Sequence, residues 1–246
     1  MGQVVEGQFG KALRSLSYLV NYVQQAWQVS LSHDTLARWM RANRYRYKRM
    51  RRSVKHRRDA ERFEQARQQL AILHEQEAQG RLDVFYMDQT GVALTPVVPY
   101  AWQPIGQQIP LASQPSQNLT VVGFMNKACR FHSFRFEGAA TAKVIVRCME
   151  EFIETITKPT VVVLDNASIH TAKIVQAKRE AWNQKGVTLY FIPPYSPELN
   201  LIERLWLELK YRWLDHPGYF ESITELRTAL DETLALIGTK YRITFD

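Results

Sequence analysis

Hydrophobic residues follow two different periods along this chain. Short apolar runs rich in β-branched residues occupy residues 160–164 and 187–192, and a third run at 82–87 is apolar apart from Asp83. Runs of this length and composition are typical of buried strands. Longer segments with an apolar residue every three or four positions lie between and around these runs, which is the spacing of amphipathic helices. The pattern therefore predicts an α/β fold.

Further elements follow from the same two periods. Short strands are also predicted over residues 92–94, 107–111, 119–125 and 131–136. Helices with one apolar face are predicted over residues 13–27, from Ser32 onward, and over 59–79, 141–156, 169–184, 197–213 and 221–237. Asp88 is predicted to be the last residue of the first strand. Strands that alternate with helices indicate a sheet with helices packed on its faces.

Two acidic residues in this pattern are placed to reach one edge of the sheet, because the carboxyl ends of parallel strands lie together. Asp165 directly follows the strand at 160–164. Glu203 lies in the helix that Ser196 is predicted to cap, on or beside its apolar stripe, where a carboxylate is costly without a partner. Two converging carboxylates commonly hold Mg²⁺ or Mn²⁺. Each acid alone has a simpler interpretation, as a solvated helix residue or a turn cap.

Three segments carry a more specific signal. They are residues 85–94 (FYMDQTGVAL), 164–170 (LDNASIH) and 192–206 (IPPYSPELNLIERLW). These segments resemble bacterial transposases of the insertion-sequence 630 family, which belongs to the mariner superfamily. The resemblance extends from about Val29 to the C-terminus. It implies an RNase H-like mixed sheet flanked by helices, preceded by a small helical helix-turn-helix region that binds DNA.

The resemblance also implies which residues form the active site. It places Asp88, Asp165 and Glu203 at the positions of the three catalytic, metal-binding acids of a DDE triad. The sequence departs from the family at Gln89, where many relatives have glutamate, and at Leu201, where many have proline. Neither departure affects a member of the triad.

Three polar residues near the acids are candidates for orienting them. Asn166 and His170 lie within about one turn of Asp165, and Asn200 precedes Glu203 by three residues on the same face of the predicted helix. By analogy with other metal sites, their side chains are expected to contact the metal-binding carboxylates. For His170, a hydrogen bond at the start of a helix is an equally good interpretation.

The expected chemistry follows from three hard, acceptor-only carboxylates, which repel one another unless a cation joins them. Two Mg²⁺ ions about 4 Å apart, replaceable by Mn²⁺, would activate water on one side of a phosphodiester and stabilise the leaving oxygen on the other. The freed 3′-hydroxyl would then attack target DNA. The resemblance implies terminal inverted repeats as substrates, insertion at TA dinucleotides, and a homodimer or larger assembly on paired DNA ends.

Basic residues are concentrated in one segment. The chain has 32 Lys and Arg against 24 Asp and Glu, a formal charge of +8, and eleven of the basic residues lie between residues 35 and 58, where no acid occurs. They are Arg38, Arg41, Arg44, Arg46, Lys48, Arg49, Arg51, Arg52, Lys55, Arg57 and Arg58. A compact basic block indicates a polyanionic partner. A solvated tail or a membrane-surface patch is the alternative, but no long apolar run accompanies the block, so double-stranded DNA is favoured.

The basic block overlaps two helices joined by a short turn, an arrangement typical of a helix-turn-helix. An ordinary helical hairpin would be favoured on this pattern alone, but the charge and the resemblance favour DNA binding. Relatives usually carry two such subdomains, and this chain is expected to hold only the second. The predicted domains are a DNA-binding region with a basic arm at 1–58, a connecting helix at 59–80, and an RNase H-like catalytic domain with a C-terminal helix at 81–246.

The resulting prediction is a bacterial transposase that cleaves DNA at the ends of an insertion sequence and transfers the strand. A truncated, catalytically silent DNA-binding repressor of transposition is the alternative, and a nuclease acting on RNA or hybrids is a weaker one. Cys129 and Cys148 do not have metal-ligand spacing and suggest reduced thiols. Since the sequence shows neither a signal peptide nor a transmembrane-length run, a cytoplasmic, nucleoid-associated location without membrane contact is expected.

Overall fold

The computed structural model describes residues 16–45, 57–94, 117–214, 220 and 222–245. The strand predicted at 107–111 and most of the basic arm lie outside the described residues. The chain divides into two compact units, Met1–Ser53 and Val54–Asp246.

The described part of the first unit is a pair of helices. α1 spans Leu16–Trp27, and α2 spans His33–Ala42. The Ser32 side chain accepts a hydrogen bond from the backbone N–H of Thr35 at 3.1 Å, so the predicted N-cap of α2 is confirmed. Each helix contributes one fully buried apolar residue. They are Val23 and Leu36.

The second unit is built on a five-stranded sheet with helices on both faces. Its strands are β1 Asp83–Ala93, β2 Asn118–Met125, β3 Phe131–Glu137, β4 Thr160–Leu164 and β5 Val187–Phe191. Its α-helices are α3 Ala60–Ala78, α4 Ala142–Ile153, α5 Lys173–Gln184, α6 Ile202–Glu208 and α7 Ile223–Ala235. A 3₁₀-helix at Pro197–Leu199 precedes α6, and a π-helix at Leu209–Trp213 follows it directly.

The sheet is mixed, as the sequence predicts. Its strand order is β3-β2-β1-β4-β5. The first three strands in the chain pair antiparallel, whereas β1 pairs with β4, and β4 with β5, in parallel. The chain therefore reaches β4 by way of α4 and β5 by way of α5, which places the carboxyl ends of the three parallel strands at one edge.

Two apolar cores lie on opposite faces of this sheet, because successive strand residues point to opposite sides. Val84 and Tyr86 of β1 belong to the core shared with α3, α6 and α7. Phe85 and Met87 belong to the core shared with α4 and α5. Even-numbered residues of β1 therefore face α3, α6 and α7, whereas odd-numbered residues face α4 and α5.

β1 is longer than the sequence pattern indicates. It runs continuously from Asp83 to Ala93 and joins two segments that were predicted as separate strands. Its parallel pairing with β4 ends at Tyr86 opposite Val163, whereas its antiparallel pairing with β2 continues to Ala93. The prediction that Asp88 is the last strand residue was therefore wrong, since β2 keeps the strand extended. Asp88 instead lies just beyond the end of the parallel pairing.

α5 begins later than its periodicity predicts, at Lys173 and not at Ile169. The intervening residues form turns, in which the backbone N–H of His170 donates to the carbonyl of Ala167 at 2.9 Å. These turns directly follow Asp165 and bring the chain back toward it.

Candidate active site

Asp88, within β1, and Asp165, which follows β4, face the same side of the sheet. Asp88 has the same parity along β1 as Val84 and Tyr86, so it points toward the side covered by α6. Asp165 comes two residues after Val163, which also faces that side. The parallel pairing of β1 with β4 therefore brings the two carboxylates to one edge and one face of the sheet.

Asp88 is the buried member of the set, with 7% of its surface exposed. Its Oδ2 atom accepts a hydrogen bond from the indole Nε1–H of Trp206 at 3.1 Å. Burial raises the pKa of the Asp88 carboxyl to about 7, the nearby Glu203 and Asp165 carboxylates also raise it, and the backbone N–H of Gln89 lowers it. A cation bound beside Asp88 would stabilise its charged form.

Trp206 reaches Asp88 because the neighbouring strand has no side chain at that point. Gly123 of β2 pairs with Asp88 in the antiparallel register. A Cβ atom at Gly123 would lie 2.6 Å from Cη2 of Trp206 and 2.9 Å from Cε2 of Phe131. These separations are shorter than a van der Waals contact, so the glycine leaves the space that the indole ring occupies.

Asp165 is held by the turns that follow β4. Its Oδ1 atom accepts hydrogen bonds from Nδ1–H of His170 at 2.6 Å and from the backbone N–H of Ala167 at 2.9 Å. Burial acts to raise the pKa of this carboxyl, but the hydrogen bonds from His170 and Ala167 outweigh burial and hold the pKa below its usual value. Asp165 is therefore ionised at neutral pH.

His170 links Asp165 to the strand that carries Asp88. The His170 side chain is fully buried, and its Nε2 atom lies 2.8 Å from Oε1 of Gln89. Nδ1 must carry a proton, because the Asp165 carboxylate can only accept. Oε1 of Gln89 accepts from Nε2–H when the ring carries both protons, and with the amide turned over, its NH₂ group donates to the neutral ring. Gln89, one of the two departures from the family pattern, thus helps to fix the orientation of His170.

The segment that carries Glu203 is not one continuous α-helix, contrary to the prediction from its periodicity. Pro197–Leu199 forms a 3₁₀-helix, and Asn200 has an extended backbone before α6 begins. The Ser196 side chain does not cap the helix, because its hydroxyl donates to the carbonyl of Pro194 at 3.3 Å. This break places Glu203 in the first turn of α6.

Glu203 lies beside the buried stripe of α6, and its side chain is exposed. Desolvation by the surrounding protein nevertheless raises its pKa, the Asp165 carboxylate raises it further, and Lys210 acts in the opposite direction. Solvent therefore reaches this carboxylate from one side while protein and a second carboxylate lie on the other.

All three acids line one cavity of about 450 Å³. The other lining residues are Gln89, Thr90, Gly91, Trp206, Leu207, Lys210 and Tyr211. Lys210 is the only cation among the described residues that line this cavity. The structure thus brings together the three carboxylates that the sequence motifs single out, at the predicted edge of the sheet.

Asn166 and Asn200 lie close to the acids but bind backbone carbonyls. Asn166 Nδ2 donates to the carbonyl of Ile192, and Asn200 Nδ2 donates to that of Met87 at 3.4 Å. The expectation that Asn200 orients the Glu203 carboxylate was wrong, because Asn200 lies in the break before α6 and not on its face. Its Oδ1 atom is buried and has no hydrogen-bond partner among the described residues.

Some of the basic residues predicted to contact DNA are described. Those exposed to solvent are Arg38, Arg41, Arg44 and Arg57. Arg58 turns toward its own unit, where it forms an ion pair with Glu198 and lies 3.8 Å from the ring centroid of Phe63. The remaining predicted contacts lie outside the described residues. They are Arg46, Lys48, Arg49, Arg51, Arg52 and Lys55.

The donor set fits a hard divalent cation. Carboxylate oxygens are the ligands that Mg²⁺ prefers, and burial, together with the neighbouring carboxylates, raises the pKa values of Asp88 and Glu203. Within the described ranges, no three acidic, histidine or cysteine side chains are as close together as a bound ion requires.

Three residues of this site were not identified as functional from the sequence. Trp206 was assigned only to the apolar stripe of its helix, and Gly123 has no signal outside its three-dimensional context. Lys210 does have a signal, because it follows Glu203 by seven residues, which returns to the same helix face after two turns.

A mixed sheet in this strand order, flanked by helices and carrying acids just beyond the end of the parallel pairing of its central strands, defines an RNase H-like protein. The sequence model of the DDE superfamily endonucleases matches residues 83–227, which is more than half of the chain. The chain belongs to this family, as the motifs predicted. The match includes all three acids.

Solved structures confirm the fold. The chain is similar to the Mos1 mariner paired-end complex with Mn, with a TM-score of 0.60 and 16% identity over 96% of this chain and 71% of that one. It is also similar to the Mos1 strand transfer complex, with a TM-score of 0.62 and 15% identity over 95% of this chain and 70% of that one. No curated protein sequence matches the chain. Among the described helices, none has the length and apolar character needed to cross a membrane.

Proposed function

We propose that this protein is a transposase of the mariner and insertion-sequence 630 type, which cuts DNA at the ends of a bacterial mobile element and joins them to target DNA. The observation that carries the proposal is the convergence of Asp88, Asp165 and Glu203 on one cavity in a DDE family endonuclease. Structurally similar proteins have been solved as paired-end and strand-transfer complexes, one of them with Mn. Insertion at TA is the proposed target preference.

In this proposal, Asp88, Asp165 and Glu203 hold two Mg²⁺ ions, for which Mn²⁺ substitutes. When bound there, the ions would stabilise the developing charge and activate a water or a 3′-hydroxyl for attack on the phosphodiester. His170 keeps the Asp165 carboxylate ionised and oriented through its 2.6 Å hydrogen bond. Trp206 donates to Oδ2 of Asp88 at 3.1 Å and so fixes the orientation of this carboxylate.

The first unit would bind double-stranded DNA. Its two helices are joined by a short connection, which supports a helix-turn-helix, and Arg38 and Arg41 are exposed on α2. The basic residues that follow would contact phosphates along the duplex. We propose the domain division 1–58, 59–80 and 81–246 for binding, connection and catalysis. Assembly on paired DNA ends would require at least two copies of the chain.

The test is metal-dependent cleavage of DNA that carries the sequences flanking the gene. Wild-type protein should nick this DNA in Mn²⁺ or Mg²⁺ and not in EDTA. Asp165→Asn should retain its fold and its affinity for DNA but lose cleavage by at least about 100-fold, because one carboxylate of the metal site is neutralised. Asp231→Asn removes an acid of α7 that pairs with Arg135 outside the cavity, and it should cleave normally.

Cleavage by Asp165→Asn at the wild-type rate would overturn the assignment of the site. Cleavage by neither protein, with DNA binding intact, would instead favour a catalytically silent DNA-binding repressor of transposition. Cleavage of RNA or hybrids in preference to DNA duplexes would assign the site to a ribonuclease.

A further inference from the structure

Arg58 is the last residue of the basic block, but its side chain is largely covered by protein. Its guanidinium forms an ion pair with the carboxylate of Glu198 and lies 3.8 Å from the ring centroid of Phe63. The Arg58 side chain is 21% exposed and that of Glu198 is 33% exposed. Arg212, in its pair with Glu208, is 73% exposed by comparison. Solvent screens exposed ion pairs, so breaking the covered Arg58–Glu198 pair should have the larger consequence.

The start of α3 fixes the position of Arg58. Asp59, the next residue, caps this helix by accepting from the backbone N–H groups two and three residues further along, at 3.0 and 3.1 Å. Phe63, in the first turn of α3, packs against the core that α3 shares with α6 and α7. The guanidinium therefore reaches Glu198 from a capped helix end that is attached to the core.

Glu198 lies in the segment that determines where α6 begins. It belongs to the 3₁₀-helix Pro197–Leu199, which the extended Asn200 separates from α6. The backbone N–H of Asn200 donates to the carbonyl of Pro197 at 2.9 Å. The backbone N–H of Glu203 donates in turn to the carbonyl of Asn200 at 3.1 Å. Two successive backbone hydrogen bonds therefore connect the 3₁₀-helix to the third acid.

Two side-chain contacts hold this segment against the rest of its unit. In one, Nδ2 of Asn200 donates to the carbonyl of Met87, the residue before Asp88. At 3.4 Å this hydrogen bond is long, and Oδ1 of the same amide has no partner among the described residues. The other contact is the ion pair with Arg58, which is charge-assisted and therefore the stronger of the two.

We propose that Arg58 is a positioning residue for Glu203. By holding Glu198 against the start of α3, it fixes the 3₁₀-helix and, through the two backbone hydrogen bonds, the position of Glu203 in the cavity of the three acids. The last residue of the basic block thus orients an acid and does not contact DNA phosphates. This inference rests on the proposed function, because it takes Glu203 to be a metal ligand.

The first test is amide hydrogen exchange in the full chain without metal, measured by NMR, because exchange reports local opening of the backbone. Arg58→Gln should speed exchange at the amides of Asn200 and Glu203 about tenfold, since it removes the charge that holds the segment before α6. Amides within β1 should keep their wild-type rates, which separates a local effect from a loss of global stability.

Two further variants control for charge. Arg58→Lys keeps a cation that can pair with Glu198 and lie over Phe63, so it should retain slow exchange. Arg67→Gln removes an equal charge from α3, where Arg67 pairs with Glu64 at 2.6 Å, and should leave the exchange rates unchanged. Glu198→Gln should reproduce the effect of Arg58→Gln, and the double variant should be no worse than either single change.

The second test measures metal and DNA separately. Arg58→Gln should weaken Mn²⁺ binding about tenfold in calorimetry without DNA, because Glu203 is less well placed. At saturating DNA its single-turnover cleavage rate should fall about tenfold, while its affinity for DNA stays within about twofold of wild type. Arg57→Gln, which changes an exposed residue of the same block, should instead weaken DNA binding and lower the slope of log K against log salt by about 1.

If wild type cleaves DNA and Arg58→Gln matches it in Mn²⁺ affinity and cleavage rate, the inference fails and the proposed function stands, even where exchange is faster. A loss of DNA affinity and salt slope equal to that of Arg57→Gln would make Arg58 a DNA contact and would also overturn the inference. If wild type binds Mn²⁺ but cleaves no DNA, and Arg58→Gln weakens Mn²⁺ binding and speeds exchange at Glu203, the proposed function fails and the positioning role stands.

Discussion

Gly123 and Trp206 set the position of Asp88 through steric fit. Because the indole ring fills the space beside Gly123, Gly123→Ala should force the ring or the strand to move and should lower the unfolding free energy by about 1–3 kcal/mol. Gly91→Ala is the matched control on the paired strand, since a Cβ atom there has no neighbour within 4 Å. Urea unfolding of both variants provides the comparison.

The same two variants separate stability from site geometry. Gly123→Ala should also weaken Mn²⁺ binding, measured by calorimetry. The added methyl group displaces the indole ring of Trp206, whose Nε1–H orients the Asp88 carboxylate. Equal unfolding free energies for Gly123→Ala and Gly91→Ala would show that Trp206 and Phe131 make room for the added methyl group without strain.

At the residue scale, the sequence indicated the acids but not what holds them. Asp165 and Glu203 could be singled out because each occurs in a recognisable strand or helix context, and Asp88 through its motif. The partner of Asp88 could not be found, since a tryptophan on an apolar stripe is indistinguishable from any core residue until the register of β2 is known. The contact of His170 with Asp165 was expected only as one of two interpretations.

At the element scale, α3 is joined to β1 by polar contacts as well as by its apolar face. Nε2 of His74 lies 2.7 Å from the hydroxyl of Tyr86, and Nδ1 of His74 lies 2.9 Å from Oε2 of Glu77. Oε1 of Glu77 accepts from the backbone N–H of Val84 at 3.1 Å. This chain of contacts fixes the end of the helix to the start of the strand that carries Asp88.

Tyr86→Phe should therefore destabilise the protein, because it removes the hydroxyl that contacts His74 and leaves Nε2 of His74 without this hydrogen-bond partner. The expected loss is about 1–2 kcal/mol of unfolding free energy. Tyr190→Phe is the control, since the Tyr190 hydroxyl has no hydrogen-bond partner among the described residues and its loss should change stability by less than about 0.5 kcal/mol. A double-mutant cycle with His74→Ala should show coupling. Additive effects would contradict the link.

The helix and strand periods predicted most of the elements. They failed at two places where local hydrogen bonds hold the backbone outside a regular helix. The segment 197–213 has a continuous 3.6-residue period, yet its helix is broken because Asn200 is extended and donates to the carbonyl of Met87. α5 starts late because the chain first turns around Asp165. In both places the departure from periodicity lies beside an acid of the candidate site.

At the scale of the whole molecule, the acid cluster links stability to pH. The pKa of Asp88 is raised to about 7 by burial and by the Glu203 and Asp165 carboxylates, with His170 acting in the opposite direction. An unfolded aspartate has a pKa near 3.9. Between these values Asp88 binds a proton in the folded protein but not in the unfolded chain, so its contribution to the unfolding free energy should fall as the pH rises from about 4 to about 7.

Asp88→Asn should remove this dependence. In EDTA, its unfolding free energy should exceed that of wild type by a few kcal/mol at pH 8 and by much less at pH 5, because Asp88 is protonated in the folded protein at the lower pH. Comparing the two proteins at each pH cancels the titration of the shared groups that do not interact with Asp88. A constant difference across the pH range would show that Asp88 titrates normally.

The charge pattern lies closer to the division into two compact units than the hydrophobic period does. The first unit ends at Ser53, inside the basic block between residues 35 and 58. The five-stranded order could be inferred only through the family resemblance. Local patterns specify strands, but which strands pair depends on contacts between residues far apart in the sequence, such as Tyr86 with Val163.

A bound divalent metal should oppose the loss of stability that ionised Asp88 causes at high pH. Mn²⁺ competes with protons for Asp88, so saturating Mn²⁺ should raise the melting temperature more at pH 8 than at pH 6, where much of Asp88 is protonated. The increase should be lost in Asp165→Asn and retained in Asp231→Asn, whose acid lies on α7. Differential scanning fluorimetry across both pH values measures the effect. An increase in melting temperature that is equal at the two pH values, or that persists in Asp165→Asn, would place the ion outside the cavity of the three acids.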